Sequence, residues 1–280
     1  MSGSLTVVAT PVGNLDDLSP RAAAALRDAD LVACEDTRRT ATLLRHVGSA
    51  APMVPTHEHN EASRATDLVA RMQDGVGVVL VSDAGMPAVS DPGARVVAAA
   101  IAADVPVTVI PGAGAVEMAL VASGLANGTG YAFAGFAPRK AGELATFIQR
   151  LDAWGEPVVV FEGPARVGAL MRALAQHDPD RPVAVCRELT KVHEEVMRGT
   201  AAELAARITG ALKGEVAVVV APPPEAPAPD EGALAEALLP MIDAGMSPAR
   251  AADVVAGLGA ASRNAAYRAA LAAVAMRNSA

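Results

Sequence analysis

Glu35, Asp36, Glu162 and Lys191 are the ionisable side chains best placed to move a proton, because each stands where a short apolar run gives way to a polar loop. Arg38 and Arg166 follow close behind Asp36 and Glu162, and a guanidinium there suits a phosphate, which it grips through parallel N–H bonds. The competing reading of Glu35, Asp36 and Arg38 is a structural ion-pair and cap cluster with no chemistry. His57 and His59 flank Glu58, and alternate positions of an extended segment share a face, which raises metal binding. No third and fourth ligand is recognisable, so a metal-free polar lip over a substrate entrance is the preferred reading. Glu194 and Glu195 follow Lys191 in what reads as a strand, and Glu195 faces either a cleft or solvent.

The elements that must position these residues are legible as alternating runs. Apolar stretches Leu5 to Ala9, Leu31 to Cys34, Gly77 to Val81 and Val107 to Ile110 alternate with alanine-rich helical stretches such as Ala22 to Leu26 and Val96 to Ala103. Strands alternating with helices predict a parallel sheet. Ser19-Pro20 and Asp91-Pro92 each place a capping oxygen before a proline, so each predicts a helix start. A second, less regular α/β block has strands at Tyr131 to Ala134, Val158 to Phe161, Val183 to Arg187, Val192 to Arg198 and Val216 to Val220. The proline-rich stretch that follows must be extended and reads as a linker. Beyond it, Glu231 to Ala244 and Ser247 to Met276 predict helices broken at Gly245 and near Gly257 to Gly259. The expected organisation is an α/β domain over 1–113, a second over 114–221, a linker over 222–230 and a helical extension over 231–280. From Met246 to Ala280, Arg250, Arg263, Arg268 and Arg277 oppose only Asp253, which suits the tail to RNA phosphates or, equally, to packing on the body or on a partner subunit.

Composition narrows the classes. Across 280 residues, 31 acidic side chains outnumber 23 basic ones for a net charge of −8, which argues against coating nucleic acid through bulk charge. A hydrophobic fraction of 52% argues against disorder. No window has the apolar length a bilayer span needs, and no basic residue precedes the first apolar run, so the chain reads as soluble and cytoplasmic with no membrane partner. Cys34 and Cys186 sit far apart among apolar neighbours and read as buried thiols in a reducing compartment. Phe133, Phe136, Phe161 and Trp154 are either core or surfaces on which a base could stack.

Open parallel sheets gather ligands beyond the carboxyl ends of their strands. Those positions hold Thr10-Pro11-Val12-Gly13-Asn14-Leu15, Glu35-Asp36-Thr37-Arg38-Arg39, Ser82-Asp83-Ala84-Gly85 through Ser90-Asp91-Pro92-Gly93, and Pro111-Gly112-Ala113-Gly114-Ala115. Gly112-Ala113-Gly114 begins like a dinucleotide fingerprint, but Glu117 stands at the third glycine position and would oppose a pyrophosphate. A zwitterion such as S-adenosylmethionine suits the loops better, since it offers a carboxylate and an ammonium to backbone groups and needs no polyphosphate site.

These loops, together with His57-Glu58-His59-Asn60-Glu61, Arg187-Glu188-Leu189-Thr190-Lys191 and Ser262-Arg263-Asn264-Ala265-Ala266-Tyr267, occur in an order that resembles the bacterial 16S ribosomal RNA cytidine 2′-O-methyltransferases of the tetrapyrrole methylase superfamily. The match spans nearly the whole chain. It implies a two-domain α/β enzyme that binds S-adenosylmethionine between its domains. It further implies a homodimer that methylates the ribose of one decoding-centre cytidine in the small ribosomal subunit. By position it implies a cofactor wall of Pro11, Val12, Gly13, Ser82, Asp83, Ala84, Gly85, Pro111, Gly112 and Ala113, completed by Leu189, Glu215 and Val216 from the second domain. Two departures stand out. Met86 replaces the usual Thr, and Glu162-Gly163-Pro164-Ala165-Arg166 replaces Glu-Ser-Pro-His-Arg, so a hydroxyl and an imidazole are missing. In-line transfer to a 2′-hydroxyl needs its proton removed or held. Glu35, Asp36, Glu162 and Lys191 are the candidates, the lysine through a pKa lowered by the cofactor's positive charge. Arg38, His57, Arg166, Arg250, Arg263 and Arg268 would face RNA. A small-molecule methylase of the tetrapyrrole branch and a ribosome-assembly binding protein without chemistry are the alternatives; a macrocycle needs neither the basic tail nor the Glu35 to Arg38 loop.

Overall fold

A computed structural model describes residues 3–224, 230–258 and 260–279; residues 225–229 of the expected linker and Gly259 of the expected glycine break lie outside the described residues. The chain forms two compact units, Met1–Pro222 and Pro223–Ala280. No described helix is long and apolar enough to cross a membrane.

In the first unit, strands β1 (Ser4–Val8), β2 (Leu31–Cys34), β3 (Met53–Pro55), β4 (Gly77–Val81) and β5 (Val107–Ile110) form a parallel sheet in the order β3-β2-β4-β1-β5. Helices α1 (Pro20–Arg27), α2 (Thr37–Val47), α3 (Glu61–Gln73) and α4 (Ala94–Ala102) make the crossovers. Strand side chains alternate between two cores. Val8, Val32, Cys34, Val79 and Val81 pack with α1 and α2, while Leu5, Val7, Leu31, Ala33, Val78 and Leu80 pack with α3 and α4. Cover on both faces is why these strands read as unbroken apolar runs. The edge strand β3 is three residues long and carries Pro55, so it gives no such run.

The second sheet contains β6 (Ala132–Phe136), β7 (Val158–Glu162), β8 (Pro182–Arg187), β9 (Glu195–Thr200) and β10 (Val216–Val220), in the order β6-β7-β10-β8-β9. Only β6 and β7 run parallel; the other pairs are antiparallel. Helix α5 (Ala115–Ser123) covers one face, and α6 (Ala141–Asp152), α7 (Val167–His177) and α8 (Ala201–Arg207) cover the other.

Several expectations are corrected. The strand expected from Val192 begins at Glu195, because Glu188 and Thr190 take left-handed φ of +50° and +66° and turn the chain out, leaving Val192 96% exposed. The strand expected over Tyr131 to Ala134 runs instead from Ala132 to Phe136, with a register shift around Gly135, whose φ is +67°. Ser19 caps α1 as expected, its hydroxyl accepting from Ala22 N at 3.1 Å. Asp91 does not cap α4. That helix starts at Ala94 after an irregular turn, and its first amides are met by Glu61, whose Oε1 accepts from Gly93 N at 2.9 Å and Arg95 N at 2.8 Å. Gly93 has φ +130°, which few other residues tolerate.

The second unit is a bundle of α9 (Glu231–Asp243), α10 (Pro248–Gly257) and α11 (Arg263–Ser279) around its own core. Gly245, with φ +88°, ends α9 through its N–H to Ile242 O.

Glu61 is buried, and its carboxylate satisfies amides that would otherwise be orphaned at the start of α4. Glu61→Ala should therefore lower unfolding stability by about 1–3 kcal/mol, and Glu61→Gln by less. Urea midpoints test this; an alanine variant within about 0.5 kcal/mol of the parent would refute the capping role.

Candidate functional site

The chain leaves β1 toward β2 on one side of the parallel sheet and leaves β4 toward β5 on the other, although β1 and β4 are neighbours. Adjacent strand ends whose loops diverge open a crevice. Its floor is tied: Thr10 N donates to Gly85 O at 2.8 Å, Gly85 N to Thr10 O at 3.0 Å, and Thr10 Oγ1 to Ser82 O at 3.1 Å. A cavity of about 360 Å³ lies above this junction, a size within the usual range for a small-molecule site. The first lobe lines it with Val12, Glu35, Arg39, Asp83, Ala84, Ser90 and Asp91. The second sheet and its loops supply Phe136, Phe161, Glu162, Leu189, Glu215, Val216 and Ala217.

Of the expected cofactor residues, Val12, Asp83, Ala84, Leu189, Glu215 and Val216 line this cavity. Pro11, Gly13, Ser82, Gly85, Pro111, Gly112 and Ala113 stand in the loops around it without lining it. Gly112 allows a close approach, since a Cβ there would sit 2.9 Å from the Ala9 Cβ. Gly13 is pressed against the second lobe, where a Cβ would meet Lys191 Cγ at 2.3 Å and Thr190 Oγ1 at 2.9 Å. Met86 packs into the apolar core beneath the first sheet and does not reach the cavity wall.

Of the expected proton-transfer residues, Glu35 and Glu162 line the cavity; Asp36 and Lys191 do not. Asp36 begins α2, accepting from Arg38 N at 2.8 Å and from the Arg38 guanidinium at 2.6 and 3.1 Å, which holds its carboxyl well below the usual carboxylate range. Asp36 and Arg38 thus form the ion pair and helix cap of that cluster. Burial draws the Lys191 pKa down, but ion pairs at 2.9 Å to Glu215 and Glu188 more than offset it and the net shift is upward. These pairs hold Lys191 as a charged ammonium at the turn. Glu162 is ion-paired to Arg166 and accepts from Gly163 N at 2.6 Å.

The residues expected to face RNA are scattered. Arg38 is 89% exposed beside Asp36. Arg166 also donates to Ala137 O at 2.9 Å and Pro138 O at 3.3 Å, so its guanidinium is engaged within the lobe. His57 lies in a turn closed by its own N–H to Asn60 Oδ1 at 2.8 Å, not in the extended segment that would align it with His59. Arg250, Arg263 and Arg268 belong to the helical unit, where Arg263 pairs with Asp253 and Arg268 with Glu231, both at 2.7 Å. Glu195 pairs with Arg187 at 2.7 Å, which is the solvated-edge reading. Sequence reasoning missed Arg39, Ser90 and Asp91 as wall residues. One helical step separates Arg38, turned outward, from Arg39, which pairs with Asp83 at 3.4 Å.

The wall is acidic. Among the described residues Arg39 is the cation in the lining, against Glu35, Asp83, Asp91, Glu162 and Glu215. Burial, then the neighbouring Asp83 charge, raises the Glu35 pKa. Burial, then the Glu35 charge, raises Asp91 to about 6. Burial lifts the Cys186 thiol to about 11, leaving it a poor nucleophile.

Residues 4–205 match the family of tetrapyrrole (corrin/porphyrin) methylases. Solved structures of the same fold include a uroporphyrin-III C-methyltransferase from Thermus thermophilus complexed with S-adenyl homocysteine, at 20% identity and a TM-score of 0.55, with 78% of this chain and 96% of that one covered. A diphthine synthase aligns at 19% identity and a TM-score of 0.60, covering 78% of this chain and 90% of that one. The fold and the family match thus define a tetrapyrrole methylase. Nearer in sequence are proteins named ribosomal RNA small subunit methyltransferase I. The one from Micromonospora olivasterospora is 44% identical over 239 residues, 85% of this chain and 76% of that protein. The one from Mycobacterium bovis is 47% identical over 223 residues, 79% of this chain and 78% of that protein. The chain belongs to this ribosomal RNA small subunit methyltransferase I family.

A carboxyl whose folded pKa is raised binds more protons in the native state, so its contribution to stability falls as pH rises from 3.8 toward about 6. Asp91→Asn removes that loss. The variant should gain on wild type by on the order of 2–3 kcal/mol between pH 4 and pH 7. Urea midpoints at both pH values read the gap, and a gap that fails to widen would contradict the raised pKa.

Proposed function

We propose that the protein is an S-adenosylmethionine-dependent methyltransferase acting on the ribose 2′-hydroxyl of a cytidine in the decoding centre of 16S ribosomal RNA. The observation that carries this reading is the two-lobed cavity, apolar on much of its wall and acidic at its polar groups, in a chain 41–47% identical to ribosomal RNA small subunit methyltransferases. Identity to the tetrapyrrole and diphthine enzymes is about half that, which favours RNA over a macrocycle.

The residues present fit the cofactor. Val12, Ala84, Leu189, Val216 and Ala217 offer an apolar surface to a purine. The wall carboxylates favour a ligand that carries sulfonium and ammonium charge. S-adenosylmethionine, when bound, supplies an electrophilic methyl group. Pro11, Gly13, Ser82, Gly85, Pro111, Gly112 and Ala113 set the backbone that borders it. Glu35 and Glu162 face the reacting region. Asp36 fixes the start of α2 and with it Arg39, and Lys191 ties the 188–191 turn to Glu215.

Phe136, 59% exposed and edge-on to Phe161 at 5.6 Å, offers a surface on which the target base can stack. Arg38, His57, Arg250, Arg263 and Arg268 would meet the surrounding RNA, and Arg166 would act through Glu162. The lobes correspond to domains over 1–113 and 114–221. Exposed Val109 on edge strand β5 and Val121 on α5 support a homodimer, and the substrate places the enzyme in the cytoplasm.

The test incubates small ribosomal subunits from cells lacking the protein with the enzyme and labelled S-adenosylmethionine, followed by mass spectrometry of 16S fragments. One methyl on the ribose of one cytidine is expected. A methyl on a base, or transfer to a tetrapyrrole precursor instead, would refute the reading.

A further inference from the structure

We infer that Asp91 is the catalytic residue that takes the proton from the attacking 2′-hydroxyl, an inference that rests on the ribose methyltransferase reading above. A general base must be a carboxylate free of cations, within reach of the reacting atoms, and with a pKa near working pH. Asp83, Glu162 and Glu215 fail on the first count. Asp83 accepts from Asp36 N at 3.1 Å and pairs with Arg39; Glu162 is taken by Arg166 and Gly163 N; Glu215 is bonded to Lys191. Glu35 accepts from the Asp83 amide and feels the Arg39 charge.

Asp91 alone among these wall carboxylates has neither an ion pair nor a backbone amide partner among the described residues; its polar partner is Ser82. The charges facing it are all negative: Glu35 and Asp83 from the first lobe and Glu215 from the second. Asp91 shares the cavity wall with Glu215 of the second lobe. Its backbone is held in an uncommon shape, with Ala88 at φ +68°, Ser90 at φ +64° and Gly93 at φ +130°, and Glu61 anchors the far end of the loop through Gly93 N and Arg95 N. Left-handed non-glycine residues persist where surrounding structure over-determines them, and they cluster at functional sites.

In the step inferred, the 2′-oxygen forms its bond to the methyl carbon as the sulfur–methyl bond breaks. The bonding pair stays on sulfur, leaving a neutral thioether, and the hydroxyl proton passes to an Asp91 carboxylate oxygen. Burial, with the negative charges around it, raises the Asp91 pKa and makes the carboxylate a stronger base, and the incoming sulfonium charge keeps it deprotonated at neutral pH.

The test compares wild type, Asp91→Asn and Glu35→Gln. Calorimetry with S-adenosylmethionine near pH 6, in buffers of different ionisation enthalpy, should show proton release from wild type as the cation settles beside Asp91. Asp91→Asn should bind within about threefold of wild type without that release. For methyl transfer to small subunits, kcat/KM of wild type should rise with pH through about 6. Asp91→Asn should be slower by about 10²–10⁴-fold and lose that rise. Glu35→Gln keeps Asp91 and should move the midpoint about half a pH unit or more downward, which decides the matter if Asp91→Asn does not fold.

A fully active Asp91→Asn variant, one that loses cofactor binding as much as transfer, or an unmoved midpoint in Glu35→Gln would overturn the assignment. Wild type that binds the cofactor yet methylates no small-subunit RNA would overturn the ribose reading and Asp91 with it. An active wild type beside an equally active Asp91→Asn would remove Asp91 alone.

Discussion

Thr10 and Gly85 exchange a pair of backbone hydrogen bonds, and most of the cavity's first wall hangs from that exchange. The chain leaves β1 and β4 for opposite sides of the sheet, so their ends would otherwise splay and leave backbone groups exposed over a gap. Joined, they bring Val12 from one loop and Asp83 and Ala84 from the other to a common rim. The Thr10 hydroxyl adds a bond to Ser82 O, so one buried side chain fixes the opening of the second loop as well.

The charge crowded into the cavity costs stability. Carboxylates from both lobes face a small volume with one guanidinium among them, and burial strengthens their mutual repulsion because the screening by water is lost. A ligand carrying positive charge relieves that repulsion on arrival. The ion pair of Asp36 with Arg38 stays outside the volume at the start of α2, and Lys191 ties the wall carboxylate of Glu215 to Glu188 at the turn. They hold the walls in place.

What was legible in the amino-acid sequence follows from how each segment is buried. Leu31–Cys34, Gly77–Val81, Val107–Ile110 and Val216–Val220 lie where their apolar runs put them, three of them sandwiched between packed neighbours. The glycine and proline punctuation located the strand-end loops, and with them much of the cavity wall. Conformation inside those loops was hidden. Left-handed Ala88, Ser90, Glu188 and Thr190 carry no compositional mark, so the sequence pattern starts a strand at Val192 rather than Glu195 and makes Asp91 a helix cap. Lys191 illustrates a second limit. Its partner Glu215 is distant in the chain, and the pairing that raises its pKa depends on how β8 and β10 lie side by side.

In the helical unit, Ala266, Ala269, Ala270 and Ala273 recur along one stripe of α11 and are wholly buried with Ala251 and Ala252 of α10. Methyl groups give up no rotamer freedom on packing, and they let helix backbones draw close. A seam built this way responds unevenly to change. Trimming a methyl to hydrogen mainly lowers helix propensity, by about 1 kcal/mol, whereas a branched side chain finds no room and must wedge the helices apart. Variation along this stripe is therefore bounded by size from above, and drift toward bulkier residues is the direction the bundle can least absorb.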